Sequence, residues 1–245
     1  MSVNRKQMLE EAAQQYDIPN DFELVNVNLA SRLICPLCEG KNVLEIGCAS
    51  GEMSENLVAC SDTLTIVEPA TNFYNAVRER FGEKVITFNC FLDEIPNPGT
   101  YDVIIMASLL HHIQDPLKFL GCVQKFCKKE TLVIATVPNV NSLHRRLGVK
   151  AGIIRDIHDD SERNIRYRQF GKFDLDSLRE LFMEVGFTVE KAFGYMLKPF
   201  SSEQMMSLQL DWNIIDALFE IGRKYPDISS QLFLSARVSD EGEFL

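Results

Sequence analysis

At 245 residues the chain has the length for one large α/β domain with an accessory region and a well-buried core. Its hydrophobic and charged fractions, 46% and 24%, are those of an ordinary globular protein, and a formal net charge of -10 weighs against a phosphate-backbone partner and against anionic membranes. Met1 to Glu11 is polar and charged, no run approaches a membrane span, and seven scattered cysteines fit reduced thiols, so a cytoplasmic protein without a nucleic-acid partner is expected.

Residues 1–40 read as helical in two pieces, Arg5 to Tyr16 and Asp21 to Leu37, separated by the turn cluster Asp17-Ile18-Pro19-Asn20. They are expected to form an N-terminal helical lid, with Tyr16 and Arg32 read as packing residues in it and, as the alternative, as ligand contacts through the lid. Cys35-Pro36-Leu37-Cys38 is a C-x-x-C with no second pair and no histidine at ligand spacing, so it reads as buried free thiols and not as a zinc site.

From Lys41 onward strands and helices alternate. Strands are expected at Asn42 to Ile46, Leu64 to Val67, Val85 to Phe88, Tyr101 to Met106 and Leu132 to Thr136, with helices from Gly51, across Asn72 to Phe81 and from Pro116 to Lys128. Near-continuous apolar runs separated by helices indicate a parallel sheet covered on both faces, in which ligands bind at the carboxyl ends of strands. Residues 41–140 are therefore the expected cofactor-binding core.

Within that core the stretch Val43-Leu44-Glu45-Ile46-Gly47-Cys48-Ala49-Ser50-Gly51 reads as strand, tight turn and helix, with glycines where backbone must take positive φ or admit a ligand. The next strand ends in Glu68, where open α/β folds hold ribose hydroxyls on a carboxylate. A nucleoside-bearing cofactor follows. The dinucleotide pattern G-x-G-x-x-G is absent, and Glu45 would repel a pyrophosphate.

This E-x-G-x-x-x-G stretch followed by an acid at the second strand end resembles the class I S-adenosylmethionine-dependent methyltransferases, with Ala49 in place of their usual middle glycine. The resemblance covers nearly the whole chain and is strongest over residues 41–137. It implies a seven-stranded Rossmann-like sheet with helices on both faces, and S-adenosylmethionine as cofactor. Glu45 would then lie near the methionine amino group, Gly47, Cys48 and Gly51 under its backbone, and Glu68 with Pro69 at the ribose. Phe91 occupies the place of the family's adenine-binding aspartate, so Phe91 and Leu92 would pack on the base. Ala107-Ser108-Leu109-Leu110-His111-His112-Ile113-Gln114-Asp115-Pro116 resembles the segment that lines the methionine part and faces the methyl group. Asp115 before Pro116 also suits a helix cap. Two adjacent histidines are expected to point apart, with His112 facing the substrate.

The stretch 141–173 reads as a long irregular substrate loop, rich in His144, Arg145, Arg146, Arg155, His158, Arg163, Arg166 and Arg168 among acids. That composition fits either an anionic or polyhydroxylated substrate or ion pairs within the loop. Residues 174–245 complete the sheet, with a helix over Asp174 to Val185, strands from Phe187 towards Tyr195 and from Gln231 to Val238, and a helical cap insert at 198–227 whose helix spans Glu203 to Arg223 and holds Trp212. The resemblance implies that the last strand is antiparallel. His144 through Arg168 and Tyr195 to Pro199 resemble methyltransferases encoded with polysaccharide- and sugar-modifying enzymes.

Methyl transfer to a hydroxyl gains from a positioned base, and histidine suits that work near neutrality. His112 and His144 are the candidates. No metal is expected, although Asp115, His144 and His158 are the residues from which a site would be assembled. The reading is methyl transfer from S-adenosylmethionine to a hydroxyl, or less favourably an amine, of a small polar acceptor such as a sugar. The alternatives are a quinone or small-aromatic methyltransferase, whose apolar pocket would be built around Trp212, a nicotinamide-dependent oxidoreductase, and a non-catalytic cofactor-binding subunit.

Overall fold

The apolar runs of the sequence become the centre of a sheet in the computed structural model of the protein, which describes residues 2–16 and 18–239. Among these residues the strands are β1 (Asn42–Ile46), β2 (Thr63–Val67), β3 (Ile86–Phe88), β4 (Tyr101–Ala107), β5 (Cys127–Pro138), β6 (Phe187–Tyr195) and β7 (Gln231–Val238), in the order β3-β2-β1-β4-β5-β7-β6. Only β7 runs antiparallel to its neighbours. β1 has β2 on one side and β4 on the other, so the order reverses between β1 and β4 and opens a crevice above their carboxyl ends.

Helices α1 (Ser2–Ala13), α2 (Glu23–Cys38), α3 (Glu52–Cys60), α4 (Thr71–Phe81), α5 (Pro116–Val123), α6 (Leu143–Lys150), α7 (Glu162–Arg166), α8 (Leu175–Glu184), α9 (Ser202–Ser207) and α10 (Trp212–Lys224) surround the sheet. Side chains alternate along a strand, so adjacent residues feed different cores. Ile105 joins Leu29, Ile34, Leu57 and Phe219 beneath α2, α3 and α10, whereas Ile104 joins Leu120, Leu178 and Phe182 beneath α5 and α8. The described part of the turn cluster between α1 and α2 holds a single 3-10 turn, Ile18–Asn20; Asp17 and residues 240–245 lie outside the described residues.

Three expected elements differ. The helix from Pro116 stops at Val123, and a 3-10 turn, Gln124–Phe126, leads into a strand that begins at Cys127. Lys128 is drawn into the sheet edge by its backbone bond to Thr131 Oγ1 (2.9 Å) and by its ammonium on Asp102 (2.5 Å), which overrides the helix preference of a charged run. The insert helix is two helices, α9 and α10, broken where Gln209 takes a left-handed φ of 46°. Residues 141–172 are not irregular throughout: α6 and α7 form, and Arg145 holds the turn between them by donating to the carbonyls of Ile157 and Asp159.

Candidate active site

The turn after β1 is built from left-handed residues, Gly47 (φ 74°), Ala49 (φ 46°) and Gly51 (φ 93°). Gly47 N–H donates to Val67 O at 2.9 Å, extending the β1–β2 ladder into the turn, and a Cβ on Gly47 would lie 2.9 Å from Leu109 Cδ1. Ala49 holds the left-handed conformation at a cost of roughly 1–2 kcal/mol, which a glycine would avoid. Gly51 does not line the cavity. It starts α3 against Val77 and Phe81, so its requirement is packing and not contact with a ligand.

Three carboxylates gather at this turn. Glu45, Glu52 and Glu68 are 1%, 8% and 4% exposed, too little for solvent to carry their charge. Ser54 Oγ donates to Glu45 (2.5 Å) and Ser50 Oγ to Glu52 (3.0 Å). Glu68 accepts from the backbone N–H of Cys48 (3.0 Å) and Ala70 (2.8 Å), so it ties the β1 turn to the end of β2. Among the described residues none of the three has an ion-pair partner. Burial pushes Glu45 up to about 8, with Glu68 and Glu52 adding to the rise, and pushes Glu68 up to about 7. Buried carboxyls without an ion-pair partner could hold a positively charged ligand. That donor set fits a ligand carrying ammonium, sulfonium and ribose groups.

A cavity of about 1000 Å³ opens over the turn. Pro69 lines it, its carbonyl and that of Glu68 tied down by Asn89 Nδ2 at 3.2 and 2.9 Å. Phe91 and Leu92 line it beyond β3, and the Arg5 guanidinium lies 3.7 Å from the Phe91 ring centre. Ala107 and Ser108 line it at the end of β4, where Ser108 takes φ 51° and its hydroxyl donates to Glu23 Oε1 at 2.9 Å.

His111 and His112 do not point apart. The 3-10 turn Leu110–His112 brings both rings to the cavity wall, with centres 4.1 Å apart. His112 Nδ1 lies 2.9 Å from the Tyr167 carbonyl, which can only accept, so Nδ1 carries the proton and Nε2 accepts from the Tyr16 hydroxyl at 2.9 Å. Burial lowers His112 to about 4, so it is neutral at pH 7. His144, the second residue of α6, also lines the cavity; its Nδ1 is buried without a partner, and burial with the nearby Lys198 and Arg145 charges lowers it to about 2.

Tyr16, expected as packing, is thus a cavity residue, whereas Arg32 pairs outside with Asp216. Trp212 is 53% exposed and lies away from the cavity. The apolar wall comes instead from α1 (Met8, Leu9) and from Tyr167 and Phe170 after α7. No group of three metal-ligating side chains exists among the described residues: Asp115 caps α5 through Lys118 N–H (3.0 Å) and His158 is exposed. Much of the basic composition of 141–173 is spent on internal partners, with Arg163 on Asp21, Lys172 on Asp160, Arg168 on Glu11 and Arg146 on the Asn141 carbonyl. Lys198 and Asn26 also line the cavity and were not anticipated. Lys198 was findable, since it follows a strand whose carboxyl end shares the ligand edge of the sheet.

The family model described as "Methyltransferase domain" matches residues 24–192. Ubiquinone biosynthesis O-methyltransferase of Colwellia psychrerythraea is 25% identical over 183 residues, 64% of this chain and 74% of that protein. Nodulation protein S of Azorhizobium caulinodans is 32% identical over 99 residues, less than half of either chain (37% and 46%). The solved structure of Burkholderia thailandensis 1,6-didemethyltoxoflavin-N1-methyltransferase, with 1,6-didemethyltoxoflavin and S-adenosylhomocysteine bound, shares the fold at a TM-score of 0.62 and 15% identity, covering 98% of this chain and 88% of that one. With its sheet order, its acid-bearing turn at the switch point and a family match over most of its length, the chain belongs to the class I S-adenosylmethionine-dependent methyltransferases.

Proposed function

We propose that the protein methylates an ionisable hydroxyl, phenolic or enolic, on a small planar acceptor. The observation that carries the reading is the unpaired trio Glu45, Glu52 and Glu68 on one wall of a cavity whose other wall holds a neutral, oriented His112. Glu45 would face the methionine ammonium of the cofactor, Glu68 and Pro69 its ribose, Phe91 and Leu92 its adenine, and Gly47, Cys48, Ala107 and Ser108 its methionine part. When bound, S-adenosylmethionine supplies a methyl group already activated on a sulfonium. What remains for the chain is to align the acceptor and exclude water.

Tyr16 and His112 would handle the proton. An acceptor hydroxyl donating to Tyr16 Oη is connected through the Tyr16 hydroxyl to His112 Nε2, and the Tyr167 carbonyl holds the imidazole in the tautomer that can receive it. Burial raises the Tyr16 phenol, so it stays protonated and passes a proton on without itself ionising. His144 would face the acceptor from the other side.

The acceptor class follows from the strength of that base. Burial lowers the His112 imidazole, so it takes a proton more readily from a phenolic or enolic hydroxyl, the more acidic class, than from an alkanol. A sugar hydroxyl is therefore poorly served. The aromatic wall of Tyr16, Tyr167 and Phe170 and the similarity to a ubiquinone biosynthesis O-methyltransferase support the same choice. Incubation with S-adenosylmethionine and matched catechols, phenols, amines and sugars, followed by S-adenosylhomocysteine release, tests it. Turnover on catechols or phenols is expected; turnover confined to sugars or amines would refute the acceptor class.

A further inference from the structure

Across the cavity from the carboxylates the charge reverses. Pro138, Gln231 and Tyr195 lie at one level of the sheet, so Lys198, three residues beyond Tyr195, enters the cavity from the ligand edge on the β5–β7–β6 side. Glu45 and Glu68 belong to the β1–β2 side.

Lys198 is 7% exposed and lines the cavity. Its ammonium donates to Ser202 Oγ at 3.0 Å and lies 5.5 Å from the Phe22 ring centre, and among the described residues it has no ion-pair partner. The acids whose fields reach it are engaged elsewhere. Asp21 takes both terminal nitrogens of Arg163 (2.6 and 2.9 Å), Glu23 accepts from Ser108 Oγ (2.9 Å) and Asn26 Nδ2 (3.0 Å), and Glu203 is exposed at the start of α9. A buried ammonium with unused protons is costly unless something accepts from it. His144 adds a second unfulfilled group, its buried Nδ1 unpartnered in the same cavity.

The backbone that presents Lys198 is clamped. Leu197 N–H donates to Leu218 O (2.9 Å), Met196 O accepts from Ser230 N–H (2.8 Å) and Oγ (2.9 Å), and Gly222 approaches so closely that a Cβ there would lie 2.4 Å from Met196 N. The fold therefore fixes the backbone that presents this cation and, among the described residues, supplies no counter-ion.

We propose that Lys198, with Ser202 and His144, forms an anion seat for the acceptor, which carries a carboxylate or phosphate besides the hydroxyl to be methylated. The inference rests on the methyltransferase reading of the same cavity. It places the positive cofactor against the acidic wall and the negative acceptor against the basic one. His144, in the tautomer that protonates Nδ1, would be a second donor to the anion. A carboxylate has two sources, the acceptor and the methionine part of the cofactor, and the position of Lys198 across the cavity from the acidic turn favours the acceptor.

The test is calorimetric titration of S-adenosylhomocysteine-loaded protein with protocatechuate, with its methyl ester and with inorganic phosphate. Protocatechuate is expected to bind at least about tenfold more tightly than the ester, as one charge-assisted bond implies, and phosphate is expected to compete with it. Lys198→Met, similar in length and uncharged, should lose the preference while binding S-adenosylhomocysteine within about twofold of wild type. Equal binding of acid and ester, no competition by phosphate, or a preference that survives in Lys198→Met overturns the seat. A large loss of S-adenosylhomocysteine affinity in the variant gives the seat to the cofactor and also overturns it. Failure of the unmodified protein to bind S-adenosylhomocysteine at all is a different result, which removes the methyltransferase reading itself. Acylation of Lys198 in the wild-type protein, read by peptide mass spectrometry, needs no variant. Protection by phosphate and protocatechuate but not by the ester is expected, and labelling unaffected by either anion contradicts the proposal.

Discussion

Replacing Glu45 by Gln should stabilise the cofactor-free protein at alkaline pH while weakening its hold on the cofactor. Glu45 is buried near Glu52 and Glu68, among the described residues only the Ser54 hydroxyl donates to it, and burial raises its folded pKa from 4.5 to about 8. Below pH 4.5 the carboxyl is protonated in both folded and unfolded chains and the folded state keeps its full stability. As pH climbs from 4.5 to about 8 the unfolded chain ionises first, so stability is progressively lost, and above about 8 the loss is complete. At 1.36 kcal/mol per pH unit, that interval sets a ceiling of about 5 kcal/mol, and relaxation around a buried charge reduces it to a few. Gln keeps the shape and can still accept from Ser54 but never ionises. Urea unfolding of cofactor-free wild type and Glu45→Gln at pH 5 and pH 9 should therefore show similar stabilities at the lower pH and a variant more stable by about 2–4 kcal/mol at the higher. A gap that is absent, or that favours wild type at pH 9, would refute the reasoning. The same variant should bind S-adenosylmethionine at least about tenfold more weakly at pH 8, since it lacks the charge proposed to face the ammonium.

His112→Ala should lower kcat by about 10²–10⁴ with little change in KM, and Tyr16→Phe should do so less severely, because the imidazole can then take the proton directly. Since His112 titrates near 4 and must be neutral to act, the acid limb of the rate profile in wild type should fall near pH 4–5, leaving the rate flat through neutrality; an acid limb near 6.5 would place the base elsewhere. Ala49→Gly, at φ 46°, should raise stability by up to about 1 kcal/mol in thermal unfolding, because it removes left-handed strain at a small entropic cost. Gly47→Ala should do the reverse by about 1–2 kcal/mol, because it places a side chain at φ 74° and obliges Leu109 Cδ1, 2.9 Å from its Cβ, to move aside.

What was legible in the sequence was what strand periodicity and turn chemistry control. β1 and β7 fall where their apolar runs predict, and the acids of the first two strand ends meet at one turn because a parallel sheet brings consecutive carboxyl ends together. Residues whose partners come from distant segments were not legible. Tyr16 joins the site only because α2 and the 161–171 segment fold over β4 and set its hydroxyl on His112, ninety-six residues away. The paired direction of His111 and His112 reflects a 3-10 turn that replaces the extended chain in which neighbours would alternate. The basic residues of 141–173 fitted a substrate surface and ion pairing equally well in the sequence, and their engagement by Asp21, Asp160 and backbone carbonyls is a tertiary event. Lys198 is the converse, one inconspicuous lysine made conspicuous by burial without a counter-ion.

The central claim, that the Glu45, Glu52 and Glu68 turn holds S-adenosylmethionine, is tested most directly by calorimetric titration of cofactor-free protein with S-adenosylmethionine, S-adenosylhomocysteine and NAD, repeated on Glu68→Gln. Binding of both adenosyl ligands in the micromolar range, about −8 kcal/mol, is predicted, together with at least about tenfold weaker binding by Glu68→Gln and no measurable binding of NAD. Folded protein that ignores the adenosyl ligands, or that prefers NAD, would contradict it.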